Sequence, residues 1–139
     1  MEQEERYFTV NSHVLDLRQM KIPGRILDIG GGGEGIIGRI YGEKVVAVDP
    51  LKEELEEGPE GPLKIIMDAK ELGFVDASFD TVTSFFTLMY VEKEHQKKVF
   101  SEVYRVLRPG GNFMVWDVEI PEYTGGKKDV FVIPLTIYL

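Results

Sequence analysis

A run of glycines directly after a short apolar stretch is the feature that most constrains what this chain can fold into. Residues 30–33 are all glycine, and Gly35 follows after Glu34. The preceding stretch, Ile26–Ile29, is nearly continuous in apolar residues, as is typical of a strand buried on both faces of a parallel sheet. Glycine permits positive φ angles and the close approach of a ligand, and a following helix offers free N–H groups. The pattern predicts a strand, a ligand-binding loop and a helix.

Apolar stretches and helical patterns alternate along the rest of the chain. The predicted strands cover residues 25–29, 44–49, 63–67, 80–85 and 112–119. The predicted helices cover residues 5–20, the stretch from the loop to Tyr41, residues 51–57 and residues 92–107. This alternation indicates an α/β fold with right-handed crossovers, in which helices cover both faces of a doubly wound, mostly parallel sheet.

The composition limits the partners that can be expected. Sixteen Lys and Arg residues against 24 Asp and Glu residues give a formal net charge of −8. Such a surface repels phosphate backbones and anionic membranes, so neither nucleic acid nor a membrane is an expected partner. The sequence has no cysteine and two histidines far apart, which predicts no disulfide, no cysteine nucleophile and no metal site.

The sequence also carries no targeting signal that we recognise. No apolar run reaches the length of about 18 residues that a membrane-spanning helix needs. The N-terminus is acidic, the reverse of the basic start of a signal peptide. The chain is therefore expected to be cytoplasmic.

Three aspartates stand at the ends of three predicted strands, where parallel sheets bind their ligands. Asp49 follows the loop by about 20 residues and can accept hydrogen bonds from both ribose hydroxyls of NAD or of S-adenosylmethionine. Asp28, expected at the mouth of the site, would repel a pyrophosphate but attract the ammonium and sulfonium groups of S-adenosylmethionine. Asp68 can accept a hydrogen bond from the exocyclic amine of adenine. Each acid singly is equally compatible with a solvated carboxylate, so the prediction depends on their occurring together.

The glycine loop taken alone leaves alternatives open. Gly30, Gly32 and Gly35 fit a dinucleotide-binding fingerprint, so an NAD(P)-binding domain is one alternative and a tight turn without a ligand is another. A Walker A phosphate loop is excluded, because Ile36 follows Gly35 where that motif requires lysine.

Four stretches of the chain carry a resemblance to a known family. Residues 26–32 resemble the first motif of class I S-adenosylmethionine-dependent methyltransferases, and residues 46–49 resemble the second. Residues 68–80 and 102–111 are similar to the family's later motifs, in order and at the usual spacings. The resemblance spans about residues 24–118 and is strongest to the small-molecule type found in quinone biosynthesis. It implies a Rossmann-like fold, S-adenosylmethionine as cofactor with S-adenosylhomocysteine as product, and methyl transfer to a small-molecule acceptor.

The resemblance also implies which residues bind the cofactor. The expected set is Asp28, Gly30, Gly31, Gly32, Asp49, Pro50, Leu51, Asp68, Ala69 and Phe85. Asp28 and the three glycines would hold the methionine part, and Asp49 the ribose. Pro50 and Leu51 would pack on an adenine face, Asp68 and the Ala69 N–H would bind the adenine edge, and Phe85 would lie near the sulfonium.

Methyl transfer by in-line displacement needs an acceptor held about 3–3.5 Å from the methyl group, and a base is optional. The candidate acceptor-site residues are Tyr7, Thr87, Met89, Tyr90 and Trp116. Phe8, Asp117 and His13 are further candidates, His13 as a base reaching the site from the first helix. Each is also compatible with a core or rim position, and no catalytic residue is assigned.

The chain departs from the family pattern at two places. Glu34 stands where most relatives have glycine, so either the loop is one residue longer or Glu34 points outward. The family sheet has seven strands ending in an antiparallel pair, whereas this chain offers five and one apolar segment at residues 129–139. The C-terminal antiparallel strands are therefore expected to be incomplete. Either the natural protein continues past Leu139, or a second copy pairs with this edge in a homodimer.

The expected organisation is a single methyltransferase-like domain over residues 1–139. It comprises an N-terminal helix within residues 1–22, a cofactor-binding core at residues 23–119, and a loop with a partial strand region at residues 120–139. Because no acceptor-binding cap is recognisable, a non-catalytic S-adenosylmethionine-binding or assembly module stays open as an alternative to an enzyme.

Overall fold

The computed structural model describes residues 7–9, 11–119, 125, 130–132 and 134–139. The chain divides into two compact units. One unit is Ile22–Val118, and the other combines Met1–Lys21 with Glu119–Leu139. The first unit coincides closely with the cofactor-binding core expected at residues 23–119, while the single domain over the whole chain stays a prediction.

Five parallel strands form the central sheet of the larger unit. They are β3 (Ile26–Ile29), β4 (Val45–Asp49), β5 (Leu63–Ile66), β6 (Phe79–Phe85) and β7 (Leu107–Trp116). Their spatial order is β5-β4-β3-β6-β7. The chain places β4 and β5 on one side of β3, and then returns to place β6 and β7 on the other side. The order reverses between β3 and β6, and open α/β sheets bind their ligands at the carboxyl ends of the strands beside such a switch point.

Three helices lie in the connections between these strands. Each packs on the sheet through the apolar side chains of one helical face. They are α1 (Ile36–Tyr41), α2 (Lys52–Glu57) and α3 (Lys93–Val106), with 3-10 turns at Gly42–Lys44 and Leu88–Tyr90. One face of α3 presents Val99, Val103 and Val106, which are buried with Leu27 and Val82 of the sheet in the main core cluster. Helix α1 packs against β4 and β6 and contributes nothing to that cluster, which places it on the opposite face. The α/β fold class is confirmed.

The prediction of an N-terminal helix over residues 5–20 is wrong. Tyr7–Thr9 forms strand β1 and His13–Asp16 forms strand β2. The three- and four-residue spacing of Tyr7, Val10, Val14 and Leu17 is what suggested a helical face. In the structure Val14 is 64% exposed while Leu17 is buried, and Val10 lies outside the described residues. The segment forms strands because it has partners from the far end of the chain, which a local periodicity does not reveal.

Those partners are the last two strands, β8 (Val130–Val132) and β9 (Leu135–Tyr138). Strand β1 pairs with β8 and β2 pairs with β9, both in parallel, with Leu15 opposite Ile137. The sequence predicted the remnant of an antiparallel pair here. The apolar C-terminal segment instead completes two small parallel sheets with the N-terminal residues.

Strand β7 begins earlier than predicted. Its pairing with β6 moves from Phe79 opposite Leu107 to Thr81 opposite Asn112, so residues 108–111 bulge out of the ladder. Gly110 lies in this bulge at φ +83°. No helix among the described residues is long and apolar enough to cross a membrane.

Candidate functional site

The glycine loop lies between β3 and α1, at the carboxyl end of the central strand. The N–H groups of Gly30 and Gly31 both donate to the carbonyl oxygen of Val48, at 2.8 and 3.1 Å. The N–H of Gly33 donates to the carbonyl oxygen of Glu54 in α2, at 2.7 Å. The loop is thereby fastened to the next strand and helix. Four of its N–H groups have protein acceptors, since the N–H of Gly35 also donates to the carbonyl oxygen of Gly32, at 3.2 Å.

Gly30 requires glycine for two reasons. Its φ of +68° is unfavourable for any residue with a Cβ atom. A Cβ atom there would also overlap the side chain of Thr87, which follows β6. The loop and the segment after β6 therefore touch at the switch point. Glu34 points outward, with 84% of its side chain exposed and Arg39 4.0 Å away, so it does not crowd the loop.

Asp28 is almost fully buried, at 2% exposure. One carboxylate oxygen, Oδ1, accepts a 2.8 Å hydrogen bond from the hydroxyl of Thr83 on the adjacent strand. The pKa of this carboxyl group is raised to about 7, mainly by burial; the Thr83 hydrogen bond partly opposes the rise, and the nearby charge of Asp49 adds a smaller increase. The expectation that Asp28 stands at the mouth of the site is wrong, because its carboxylate lies against the backbone of Gly31 and beneath the loop.

Asp49 ends β4 and is 8% exposed. Its Oδ1 accepts a 3.0 Å hydrogen bond from the N–H of Leu51, and its own carbonyl oxygen accepts one from Met67. Pro50, which lies between Asp49 and Leu51 in the sequence, lines the wall of a cavity. The Leu51 side chain is 56% exposed and does not line that cavity, although the sequence assigned both residues to one adenine face.

Asp68 follows β5, as the sequence predicted. Its Oδ1 accepts a 2.8 Å hydrogen bond from the N–H of Lys70, and the Lys70 ammonium lies 3.6 Å from Oδ2. The two interactions fix the Asp68 carboxylate at the start of the loop that follows β5, next to Ala69. Asp68, Ala69 and Lys70 all line the same cavity as Pro50.

This cavity has a volume of about 340 Å³, which lies within the range of small-molecule sites. Its lining comprises Ile29, Gly30, Val48, Pro50, Met67, Asp68, Ala69, Lys70, Thr87, Leu88, Tyr90, Val91, Glu92, His95 and Val99. The lining combines apolar side chains of the sheet and of α3, such as Ile29, Val48 and Val99, with polar ones such as Asp68 and His95. It lies at the carboxyl ends of β3, β4, β5 and β6, where the sequence placed the cofactor.

Six of the predicted site residues line this cavity, and the others do not. The lining members are Gly30, Pro50, Asp68, Ala69, Thr87 and Tyr90, and the predicted residues outside the lining are Asp28, Gly31, Gly32, Asp49, Leu51, Phe85, Met89 and Trp116. Tyr7 and His13 belong to the unit of the chain ends, in strands and not in the helix from which they were expected to act.

Phe85 and Trp116 form an aromatic pair at the ends of β6 and β7. Their ring centroids are 5.4 Å apart, and Phe86 packs edge-on against Phe85 at 4.9 Å. Asp117 follows this pair, and partial burial raises its pKa, opposed by a hydrogen bond from the Met89 backbone. Phe85 and Trp116 therefore lie beside the switch point. Thr87, which lines the cavity, follows two residues after Phe85.

The sequence analysis missed the contribution of α3 to the cavity. His95 and Val99, four residues apart on one helical face, both line it, and Glu92 joins them from the residue before the helix. The signal available in the sequence was the four-residue spacing of His95 and Val99 within the helix predicted at residues 92–107. Ligating atoms of Glu92, Glu94 and His95 also lie within 4.8 Å of one another, although both glutamates are exposed.

The residues present fit S-adenosylmethionine. The cavity has a suitable volume, and two strand-end carboxylates, Asp49 and Asp68, lie beside it. Gly30 lines the cavity, so the start of the glycine loop is within reach of a ligand there. Asp28 is a buried carboxyl whose ionised form a neighbouring cation would stabilise, and the cofactor carries two positive charges. A sheet with a switch point, a glycine loop and strand-end acids defines a nucleoside-cofactor-binding domain of the Rossmann-like class.

Comparisons with known proteins identify the family. The family model described as "Methyltransferase domain" matches residues 27–115, which is well over half of the chain. The sterol 4-C-methyltransferase strm-1 of Caenorhabditis elegans is 30% identical over 138 residues, covering 91% of this chain and 41% of that protein. The ubiquinone/menaquinone biosynthesis C-methyltransferase UbiE of Brucella canis is 38% identical over 112 residues, covering 75% of this chain and 36% of that protein.

A solved structure agrees with these sequence relatives. The crystal structure of an S-adenosylmethionine-dependent methyltransferase from Mesorhizobium loti is 31% identical, with a TM-score of 0.55, and covers 66% of this chain and 47% of that one. The chain belongs to the methyltransferase domain family. The resemblance, the Rossmann-like fold and S-adenosylmethionine as cofactor are thereby confirmed. The chain spans less than half the length of the curated relatives it matches.

Proposed function

We propose that this chain is the cofactor-binding core of an enzyme that transfers a methyl group from S-adenosylmethionine to a small-molecule acceptor. The observation that carries the proposal is the cavity at the switch point, which joins the glycine loop to the ends of β4 and β5. S-adenosylmethionine, when bound, supplies a methyl group on a positively charged sulfonium. The protein then has to bind that cofactor, align an acceptor and exclude water.

The cofactor-binding roles follow from the positions of the polar groups. Asp49 has one carboxylate oxygen held by the Leu51 N–H, and its second oxygen is proposed to accept the ribose hydroxyls. Asp68 and the Ala69 N–H are proposed to bind the adenine edge, with Pro50 on the ring face. Asp28 acts from beneath the loop, where Gly30, Gly31 and Gly32 contribute carbonyl oxygens to an ammonium group.

The acceptor is proposed to approach the other end of the cavity, around the segment after β6. Thr87 and Tyr90 line the cavity there, and Tyr90 is 72% exposed, so it can contact a second molecule. Phe85, Met89 and Trp116 border this end. A small-molecule acceptor is supported by relatives whose names refer to sterol methylation and to ubiquinone and menaquinone biosynthesis.

Binding of S-adenosylhomocysteine, measured by isothermal titration calorimetry, tests the proposal. The unmodified chain should bind it, and Asp49→Asn should weaken binding by about 10- to 100-fold, because a charge-assisted hydrogen bond to ribose is lost. Glu56→Gln makes the same chemical change at an exposed residue of α2 and should leave the affinity unaltered. No binding by the unmodified chain at millimolar ligand contradicts the proposal.

Further measurements separate the alternatives. An NAD(P)-binding domain would bind NADH, and more tightly after Asp28→Asn removes a negative charge. A non-catalytic module would bind S-adenosylhomocysteine and give no methylated product with any acceptor of a small-molecule panel. Native mass spectrometry would show a co-purified cofactor, and it would also test the homodimer that the C-terminal apolar segment suggested. The cytoplasmic location and the exclusion of nucleic acid and membranes as partners stay predictions.

A further inference from the structure

One wall of the cavity is a single tight turn. Residues 87–91 follow β6 and contribute Thr87, Leu88, Tyr90 and Val91 to the lining. The turn is closed by two backbone hydrogen bonds, from Tyr90 to Thr87 at 3.0 Å and from Val91 to Leu88 at 2.9 Å. A turn of this kind has poor hydrogen-bond geometry and needs support from outside to hold one shape.

Gln96 supplies that support from the first turns of α3. Its side-chain Nε2 donates to the carbonyl oxygens of both Leu88 and Val91, at 3.1 Å in each case. One amide group therefore uses its two N–H bonds to tie the two ends of the turn to the helix. The Gln96 backbone N–H donates to Glu92 at 3.0 Å, so the side chain extends from an ordered helical position.

The turn also sets the shape of the site beyond its own residues. The Thr87 side chain approaches Gly30 so closely that no Cβ atom fits there. Leu88 is buried against the sheet in the same core cluster as Ile29 and Val99, which line the cavity. A displaced turn would therefore change the width of the cavity and its contact with the glycine loop together.

We propose that Gln96 is a positioning residue of the cofactor site, which holds the turn of residues 87–91 in the shape that binds S-adenosylmethionine. It acts through Leu88 and Val91 and does not itself line the cavity. The inference rests on the proposed function, since it assumes that the cofactor occupies this cavity. Gln96 is a polar residue of α3, so the apolar face of this helix does not indicate the role proposed for it.

Gln96→Met tests this role, because methionine keeps the unbranched length and removes both donors. Lys97→Met is the matched control, the same new residue at the next, exposed position of the helix. In the ligand-free protein, hydrogen exchange of the Tyr90 and Val91 amides should quicken in Gln96→Met and not in Lys97→Met. The Kd for S-adenosylhomocysteine should rise about tenfold in Gln96→Met, with Gln96→Lys, which restores a donor, lying between it and the unmodified chain.

The outcomes distinguish this inference from the proposed function. A role in stability alone would lower the Tm of Gln96→Met while exchange in the turn and ligand affinity stayed as in the unmodified chain, and that result would overturn the inference. If the unmodified chain binds S-adenosylhomocysteine and Gln96→Met binds it equally well, the inference fails and the proposed function stands. If the unmodified chain does not bind it, both fail.

Discussion

The hydroxyl group of Thr83 donates a 2.8 Å hydrogen bond to the carboxyl group of Asp28, although the two residues are 55 positions apart. They stand directly opposite each other on the parallel strands β3 and β6, on either side of the switch point. Both are buried, so this bond is the main compensation for a carboxyl group removed from water. It does not suffice to keep the pKa of Asp28 in its ordinary range, because burial raises that pKa to about 7.

The first prediction concerns the pH dependence of stability. The pKa of Asp28 is higher in the folded state than in the unfolded state, so the folded state binds the extra proton. Its contribution is therefore fully present below about pH 4 and is lost as the pH rises through about 7. The loss is at most about 4 kcal/mol. Asp28→Asn, which stays neutral and can still accept from Thr83, should remove this decline when urea unfolding is measured between pH 5 and about pH 8.

Asp80 provides a control of opposite sign. Hydrogen bonds from the Arg25 backbone and the Arg108 guanidinium lower its pKa. Its contribution to stability is present at neutral pH and is lost as the pH falls through the lowered pKa. Asp80→Asn should therefore alter the acid limb of the stability curve and leave the slope above pH 5 as it is. Equal slopes in the unmodified chain and Asp28→Asn would show that Asp28 is not titrating as described.

The second prediction separates backbone strain from crowding at the glycine loop. Gly30 and Gly110 both have positive φ, +68° and +83°, but only at Gly30 does a neighbouring side chain occupy the Cβ position. Gly110→Ala should cost about 1–2 kcal/mol for the backbone alone. Gly30→Ala should cost about 2–5 kcal/mol, because the added methyl group also has to displace Thr87. Denaturant unfolding of both variants measures the difference, and equal losses would mean that the Thr87 contact is unimportant.

The third prediction compares two arginines near the end of α3. Arg105 donates to the carbonyl oxygens of Leu72 and Phe74, at 2.6 Å each, and to Glu102. Arg108 makes an ion pair with Asp80 that is largely open to solvent. Arg105→Met should destabilise the protein by about 2–4 kcal/mol, since half-buried carbonyl groups lose their donors.

Arg108→Met is the matched control for this comparison. It should change the free energy of unfolding by about 1 kcal/mol or less, as is usual for an exposed ion pair. Arg105→Lys should recover little stability, because an ammonium group cannot reproduce the planar fork that reaches two carbonyl groups and the carboxylates of Glu102 and Asp76 at once. Similar losses for Arg105→Met and Arg108→Met would contradict the role assigned to the loop contacts.

The central sheet could be predicted from the sequence because its information is local. Strands β3 and β4 are short, mostly apolar runs that are buried along their whole length. The predicted bounds of β3, β4, β5 and β6 differ from the observed ones by one residue at an end. The helix predicted for the N-terminal segment is wrong because the structure of that segment depends on residues far away in the sequence. The strand His13–Asp16 exists through its pairing with Leu135–Tyr138, and its own spacing of apolar residues matches a helix equally well.

The candidate site shows the same division. Asp49 and Asp68 could be placed because parallel strands bring their carboxyl ends to one edge, whatever the detail of packing. The burial of Asp28 could not be predicted, because it depends on contacts of its carboxylate with Thr83 and Gly31, which belong to other segments. Gln96 and His95 escaped notice because a polar residue on an amphipathic helix is ordinarily on its solvated face.

The last prediction joins the buried carboxyl group to the charge of the cofactor. At pH 7 Asp28 is about half protonated, given a pKa of about 7. A positive charge bound close above it would lower that pKa, so binding would release up to about half a proton. Calorimetric titrations at pH 7 in phosphate and in Tris, which differ in ionisation enthalpy, count the protons released.

The two forms of the cofactor supply the internal comparison for this measurement. S-adenosylmethionine carries a sulfonium and an ammonium charge, whereas S-adenosylhomocysteine keeps only the ammonium. Release by both ligands would place the ammonium near Asp28, and a larger release with S-adenosylmethionine would add an effect of the sulfonium. Asp28→Asn should abolish the buffer dependence with either ligand. Binding enthalpies for the unmodified chain that are the same in both buffers would mean that the carboxyl group beneath the loop does not sense the cofactor, and Asp28 would then be a structural residue of the sheet.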